Sequence, residues 1–475
     1  MADICVLYAS ENEEIAEKLV TLLRRNWEVW WAGDIAHGDW DAEVRHQINS
    51  SSAVVPLISH YIHSKPILRD EISFALKKNK YIFPFIIEEV DLPFGLGTQN
   101  NTQSFGWDGN KTEKGFAQLE KKITSVLPKH ITRKRNVSLR NKDLELPNFI
   151  FSLSSYDTQV RPEDGLNLFR FLEPTTCLIS AYDAWKLLKK DDENFINNVS
   201  ELCKSNTTLF LDCGNYEAYR RSDIFSKTNE SGWSCEKFRE IAGIISPDIS
   251  FAFDEPNPEG TMDEIAEKII SNYYEDENKI PNRNFPLCPI VHLPTKHKEE
   301  RREYAAKLVA MVTSKLDPVM IAIPERELGS GIIERFITVR DIRRALNELG
   351  KYYPLHLLGA GNPISIFAFA SAGADSFDGL EWCRTVADYE NDRLFHFSHF
   401  DCFDKVYLSQ IHSQKARLMV ENEDAPYTIR VASYNFDYFN DSAKTMRDMV
   451  LAGQIEHLLK NVPNIGTMLF EELKK

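Results

Sequence analysis

A chain of 475 residues, 43% of them hydrophobic, has material for two or three domains with separate cores. Its formal net charge of −15 excludes a dedicated polyanion binder, because affinity for phosphate backbones comes from clustered Lys and Arg; a local basic face stays open. Eight cysteines without a C-x-x-C pair read as reduced, buried thiols, and the lack of a charged leader or of a run long enough to cross a bilayer predicts a soluble cytoplasmic chain with no membrane partner.

Residues 3–9 (DICVLYA) read as a buried strand. Ser10, with Glu13 three residues on, reads as a capping box for a helix that sets Ile15, Leu19, Leu22 and Leu23 on one face. EVWWAGDI, AVVPLIS and YIFPFII are further β-rich runs, separated by the helical patterns DAEVRHQINSS and LRDEISFALKKN. Strands apolar throughout and alternating with helices predict a parallel α/β sheet covered on both faces. A last amphipathic helix, GFAQLEKKITSVL, ends before Pro128. Residues 129–147 follow as a basic linker; Lys129–Lys142 holds six Lys or Arg and no acid, and reads either as a solvated hinge or as a phosphate-contacting strip.

Residues 1–128 resemble a bacterial Toll/interleukin-1 receptor homology (TIR) domain. The resemblance rests on YASEN after the first strand, WWAGDIAHGDW, AVVPLIS followed by SHYIHSKP, and RDEISFAL, in the family's order. It implies a flavodoxin-like sheet, self-association through TIR domains into a homo-oligomer, and, as in enzymatic members, cleavage of NAD at the nicotinamide–ribose bond. The nicotinamide ring of NAD is already a cationic pyridinium and leaves as a neutral base, so a single carboxylate that stabilises developing positive charge on the ribose suffices. The resemblance puts that acid at Glu71, at the start of the helix after the third strand; read from the residue alone, a Glu in a first helical turn is a solvated dipole partner. It places Ser10 and Trp40 in loops lining the NAD pocket, where an aromatic ring stacks on a pyridinium; Trp40 as loop packing is the other reading. Enzymatic members often carry Trp four residues before the acid, where this chain has Ile67.

Beyond the linker, eight β-rich runs (NFIFSLSS, TCLISAY, TLFLDCG, ISFAFDE, PIVHLP, VMIAIPE, LHLLGAG and DSFDG) with mostly helical spacers predict a TIM-type (β/α)8 barrel over residues 148–475, with the place of the first strand left open. Strand ends then carry acids: LDCGNYEAY presents Asp212, AFDEPNP presents Asp254, and SFDG presents Asp378. This order resembles tRNA-guanine transglycosylases. The resemblance implies Asp378 as nucleophile on a ribose anomeric carbon, Asp212 handling the incoming base and Asp254 reading a base. His292 in PIVHLP stands in the place of a base-reading Gln, and PERELG replaces a Gly-Gly strand end. Crowded carboxylates should raise one pKa. No C-x-C-x-x-C follows Asp378, so no zinc or other metal is expected, and His396, His399 and Cys402 read as surface or packed residues.

Three functions follow. The favoured one is an NAD-consuming TIR effector controlled by a sensor barrel that binds a nucleobase, nucleotide, tRNA or DNA, an architecture that resembles bacterial antiphage defence proteins. The others are an active base-exchange barrel with a TIR scaffold, and a non-catalytic adaptor.

Overall fold

Four consecutive buried residues, Ile4–Leu7 (β1), begin the first sheet. The computed structural model describes residues 2–24, 26–34, 40–93, 95–110, 114–127, 133–140, 142–156, 158–189, 193–215, 218, 232–294 and 301–474. It divides into two compact units, Met1–Thr132 and Arg133–Lys475.

In the first unit, β1 is joined by Val29–Trp31 (β2), Ala53–Ile58 (β3), Tyr81–Ile82 (β4), Phe85–Ile86 (β5) and Thr102–Gln103 (β6). The order is β2-β1-β3-β5-β6, with β4 also on β3, and every pairing is parallel. Side chains of β3 alternate: Ala53, Val55 and Leu57 pack with Leu19, Leu23 and Phe116 on one face, while Val54 and Ile58 pack with Ile48 and Ile72 on the other. This two-sided burial is why its strands read as unbroken apolar runs. YIFPFII, expected as one strand, splits into β4 and β5 at Pro84, which has no N–H to give the ladder. The short polar strand β6 carried no apolar signal and was not expected.

The Ser10–Glu13 capping box does not form. Ser10–Asn12 is a 3-10 turn, and the following helix, Glu13–Leu23, starts later with no side-chain cap. Buried Asn12 is instead tied to the end of β3, accepting from Ser59 Oγ at 2.6 Å.

The second unit opens with an antiparallel hairpin, Asn136–Leu139 (β7) and Lys142–Glu145 (β8), inside the stretch read as linker. Alternation decides it: Val137, Leu139, Leu144 and Leu146 turn inward onto Ile150, Leu178 and Phe210 inside the barrel. Its cations are used structurally as well. Lys142 Nζ reaches Asp248 at 2.8 Å and Arg133 Nε reaches Asp375 at 2.7 Å, so neither belongs to a phosphate-contacting strip.

Asn148–Leu153 (β9), Thr176–Ser180 (β10), Thr208–Asp212 (β11), Ile249–Phe251 (β12), Leu287–Cys288 (β13), Ile321–Pro324 (β14), Leu355–Leu358 (β15) and Ser376–Gly379 (β16) form one parallel sheet. Its order is β13-β12-β11-β10-β9-β16-β15-β14, so β9, whose place the sequence left open, is a full barrel strand. A parallel bridge between Ile290 and Ala322 joins the two ends of that order. The fifth strand is only two residues long and lies before PIVHLP, whose prolines cannot continue a ladder. The long helix Tyr427–Leu451 packs on β9 through Phe149–Phe439 and Phe151–Phe436 ring contacts, at 4.7 and 4.8 Å. No helix among the described residues is long and apolar enough to cross a membrane.

Candidate functional site

Parallel barrels expose functional groups where strands end, and this barrel has a cavity of about 310 Å³ there. Asp212, Asp254, His292 and Asp378, drawn from four strand ends, line it together.

Asp378, inside β16, is held from three sides. Its Oδ2 accepts from Ser152 Oγ at 2.9 Å, and its Oδ1 accepts from Gly359 N at 2.9 Å and faces His356 Nε2 at 3.2 Å. Ser152 lies on β9 and His356 on β15, the strands flanking β16, so the sheet itself fixes the carboxylate. Asp212, at the end of β11, accepts Gly214 N on Oδ2 at 2.9 Å.

Asp254 is enclosed. Its Oδ1 accepts from Asn215 Nδ2 at 2.6 Å and from Cys213 Sγ at 2.8 Å, while Oδ2 stands 2.5 Å from His292 Nε2. The other ring nitrogen of His292 is 2.8 Å from Glu327 Oε1, and Glu327 Oε2 accepts Leu293 N. Burial alone would lower the imidazole's pKa, but these two carboxylates outweigh it and raise it to about 10. Burial likewise works against the charge of Asp254, and His292, Cys213 and Asn215 together hold its pKa below the ordinary range. His292 is therefore an imidazolium clamped between two carboxylates. The transglycosylase resemblance implied Asp254 as a base reader; in the structure its carboxylate is engaged by Asn215, Cys213 and His292. The carboxyl whose pKa is raised is Glu381, by burial first and by the nearby charge of Asp378.

The first unit presents a different site. In an open parallel sheet the ligand crevice lies at the carboxyl ends where strand order reverses, here between β1 and β3. Ser10 follows β1; its Oγ donates to Glu11 at 3.1 Å and accepts from Lys65 Nζ at 3.2 Å. Lys65 also pairs with Glu11 at 2.7 Å and directly precedes the helix Pro66–Lys77. Glu71 is in the second turn of that helix, not at its start, so the dipole explanation for it weakens. It is half-buried and close enough to β1 that its charge, after burial, pushes the Cys5 thiol pKa up. Ile67, one turn earlier on the same face, is 60% exposed. Trp40 opens the helix Trp40–Ser50; its side chain, and the loop 35–39 before it, lie outside the described residues.

Residues 4–120 match the family model of the TIR domain. The chain shares 23% identity over 224 residues with the tRNA-guanine(15) transglycosylase of Methanothermobacter thermautotrophicus, a match covering 46% of this chain and 31% of that protein. The chain thus spans about a third of the length of the curated relative it matches.

The second unit holds the residues that sequence reasoning missed: Glu327, His356, Glu381, Asn215 and Cys213. Glu327 had a signal in PERELG, an acidic turn where a Gly-Gly strand end was expected opposite a new histidine. Asn215 and Cys213 lay inside a quoted motif but look like spacers until the strand end curls. His396 is bound locally, 2.7 Å from Ser398 Oγ, and among the described residues no three His, Cys, Asp or Glu side chains are grouped to hold a metal ion.

Proposed function

We propose that the chain is an NAD glycohydrolase in which the TIR domain performs the cleavage and the barrel cavity binds a small nucleobase-bearing ligand that controls it. The observation that carries the reading is Glu71, half-buried beside β1 at the strand-order reversal of a TIR domain sheet. A carboxylate there stabilises the oxocarbenium-like ribose as nicotinamide leaves, and no metal is required for that charge stabilisation. Ser10 and Trp40 are assigned to the NAD pocket, Trp40 by stacking on the pyridinium. A neighbouring TIR domain completes the pocket, so activity rises with self-association. The barrel supplies a preorganised, strand-built cavity, and control requires the ligand to bind the active assembly more tightly than the inactive one. A role in antiphage defence is part of the proposal.

The test is purified full-length protein with NAD, alone and with guanine, 7-deazaguanines, nucleotides or short RNA and DNA, followed by chromatography of the products. Nicotinamide release that depends on Glu71 and rises with a barrel ligand is the expected result. Release unchanged in a folded Glu71→Ala variant would remove the acid from its assigned place.

A further inference from the structure

Glu381 is the one carboxyl of the barrel cavity with no place in the arrangement described so far. It begins the 3-10 turn Glu381–Cys383 just past β16, three residues after Asp378, and lines the cavity with it. The turn is rigid. Trp382 is fully buried and donates Nε1 to Ser152 O at 2.9 Å, Asn435 Nδ2 donates to Trp382 O at 2.8 Å, and Thr385 Oγ1 donates to Glu381 O at 2.7 Å.

The carboxyl itself is dry on one side. Glu381 Oε2 is buried without a hydrogen-bond partner. It lies against two glycines: a Cβ on Gly361 would sit 1.6 Å from it and one on Gly379 2.4 Å. The glycine-rich turn after β15 is therefore the recess that admits this side chain. An unpaired buried carboxylate is costly, so the group keeps its proton to a pH above the ordinary glutamate range. The cavity thus holds one carboxyl whose burial favours its protonated form, Glu381, beside one carboxylate fixed on three sides, Asp378. Two carboxyl groups held in unlike environments are the equipment of glycosidic bond cleavage.

We propose that the barrel hydrolyses the N-glycosidic bond of a nucleoside 5′-monophosphate, with Glu381 as the general acid and base. This rests on the reading of the cavity as a nucleotide site and is independent of NAD cleavage by the TIR domain. Asp378 Oδ2 attacks the anomeric carbon as the C–N bond breaks, and the departing base takes the proton from Glu381. Water then attacks the glycosyl ester on Asp378 and gives its proton to the Glu381 carboxylate, which returns both groups to their starting states and releases ribose 5-phosphate. Water is the acceptor because Asp254, which would hold and orient a second base, is already engaged by His292, Asn215 and Cys213. Arg326 and Arg384, both on the cavity lining, suit the phosphate. A cavity of about 310 Å³ is of mononucleotide size, and the net charge of −15 disfavours a polynucleotide.

The experiment incubates the full chain with AMP, GMP, IMP, CMP or UMP, and in parallel with short RNA and DNA, scoring free base by chromatography and mononucleotide binding by calorimetry. Base should be released from at least one mononucleotide. Glu381→Gln should lower that rate by roughly 10²–10⁴-fold with binding retained. The same variant should release 7-methylguanine from 7-methylguanosine 5′-monophosphate in a first-turnover burst almost as fast as the native chain, because that base leaves without being protonated, and should then turn over slowly, because no carboxylate remains to take the proton from water. The native rate should fall as rising pH deprotonates Glu381, and Glu381→Asp should keep part of the activity. Equal slowing of the first-turnover release from GMP and from its 7-methyl form, or release from polynucleotides alone, would overturn the proposal. Binding without release would overturn it while sparing the nucleotide site, and absence of binding would overturn both.

Discussion

Glu71 stands on one face of a helix, with its assigned pocket neighbours drawn from the starts of two other elements and the turns before them, whereas Asp378 and Asp254 stand at strand ends and are fixed by neighbouring strands of the same sheet. The first arrangement is the one we propose a second molecule completes. The second is finished within one unit and tolerates little adjustment, because each buried carboxylate depends on named donors. A site assembled from loops suits switching by association; a site wired into a barrel suits selective binding of one small ligand.

The largest effect expected from breaking this contrast is on barrel stability. Asp254→Ala strands the His292 imidazolium with Glu327 alone, and removing one partner of a buried pair costs roughly 3–5 kcal/mol. Denaturant unfolding of the second unit would measure it; a loss below about 1 kcal/mol would mean the clamp is solvated. Glu71→Ala, by contrast, should leave folding unchanged and reduce NAD cleavage by on the order of 10²-fold or more, followed as nicotinamide release.

The clamp also predicts a pH signature. Because the folded pKa of His292 is raised, its stabilising contribution is complete below about 6.5 and is lost as pH rises towards about 10. Asp254, with its pKa depressed, contributes above its ordinary value of 3.8 and loses that contribution in more acid solution. Barrel stability should therefore decline between pH 6.5 and 10, and His292→Gln should flatten that limb in thermal melts. The smallest effects belong to the loop-built pocket. Trp40→Ala should weaken NAD use by roughly 0.5–2 kcal/mol, and Ile67→Trp, at an exposed position, should leave it intact or improve it. Wild-type steady-state kinetics for Trp40→Ala would make that ring loop packing.

Much of the architecture was legible along the chain. Continuous apolar runs such as AVVPLI and NFIFSL can only be strands buried on both faces, so the parallel sheets followed from composition at each strand. Asp212, Asp254, His292 and Asp378 were legible as a group because acids at strand ends must meet at one barrel mouth. Three things were settled only by tertiary contacts. Ser10 gave up its capping box because Asn12 is held by Ser59, 47 residues away in sequence. The basic stretch became a hairpin because the barrel interior needed Val137, Leu139 and Leu144. Glu327 met His292, and Glu381 joined the cavity against Gly361, because these partners lie tens of residues away in sequence. Local patterns report which face a residue buries; which charge it meets there depends on strand order and register, which no window of sequence contains.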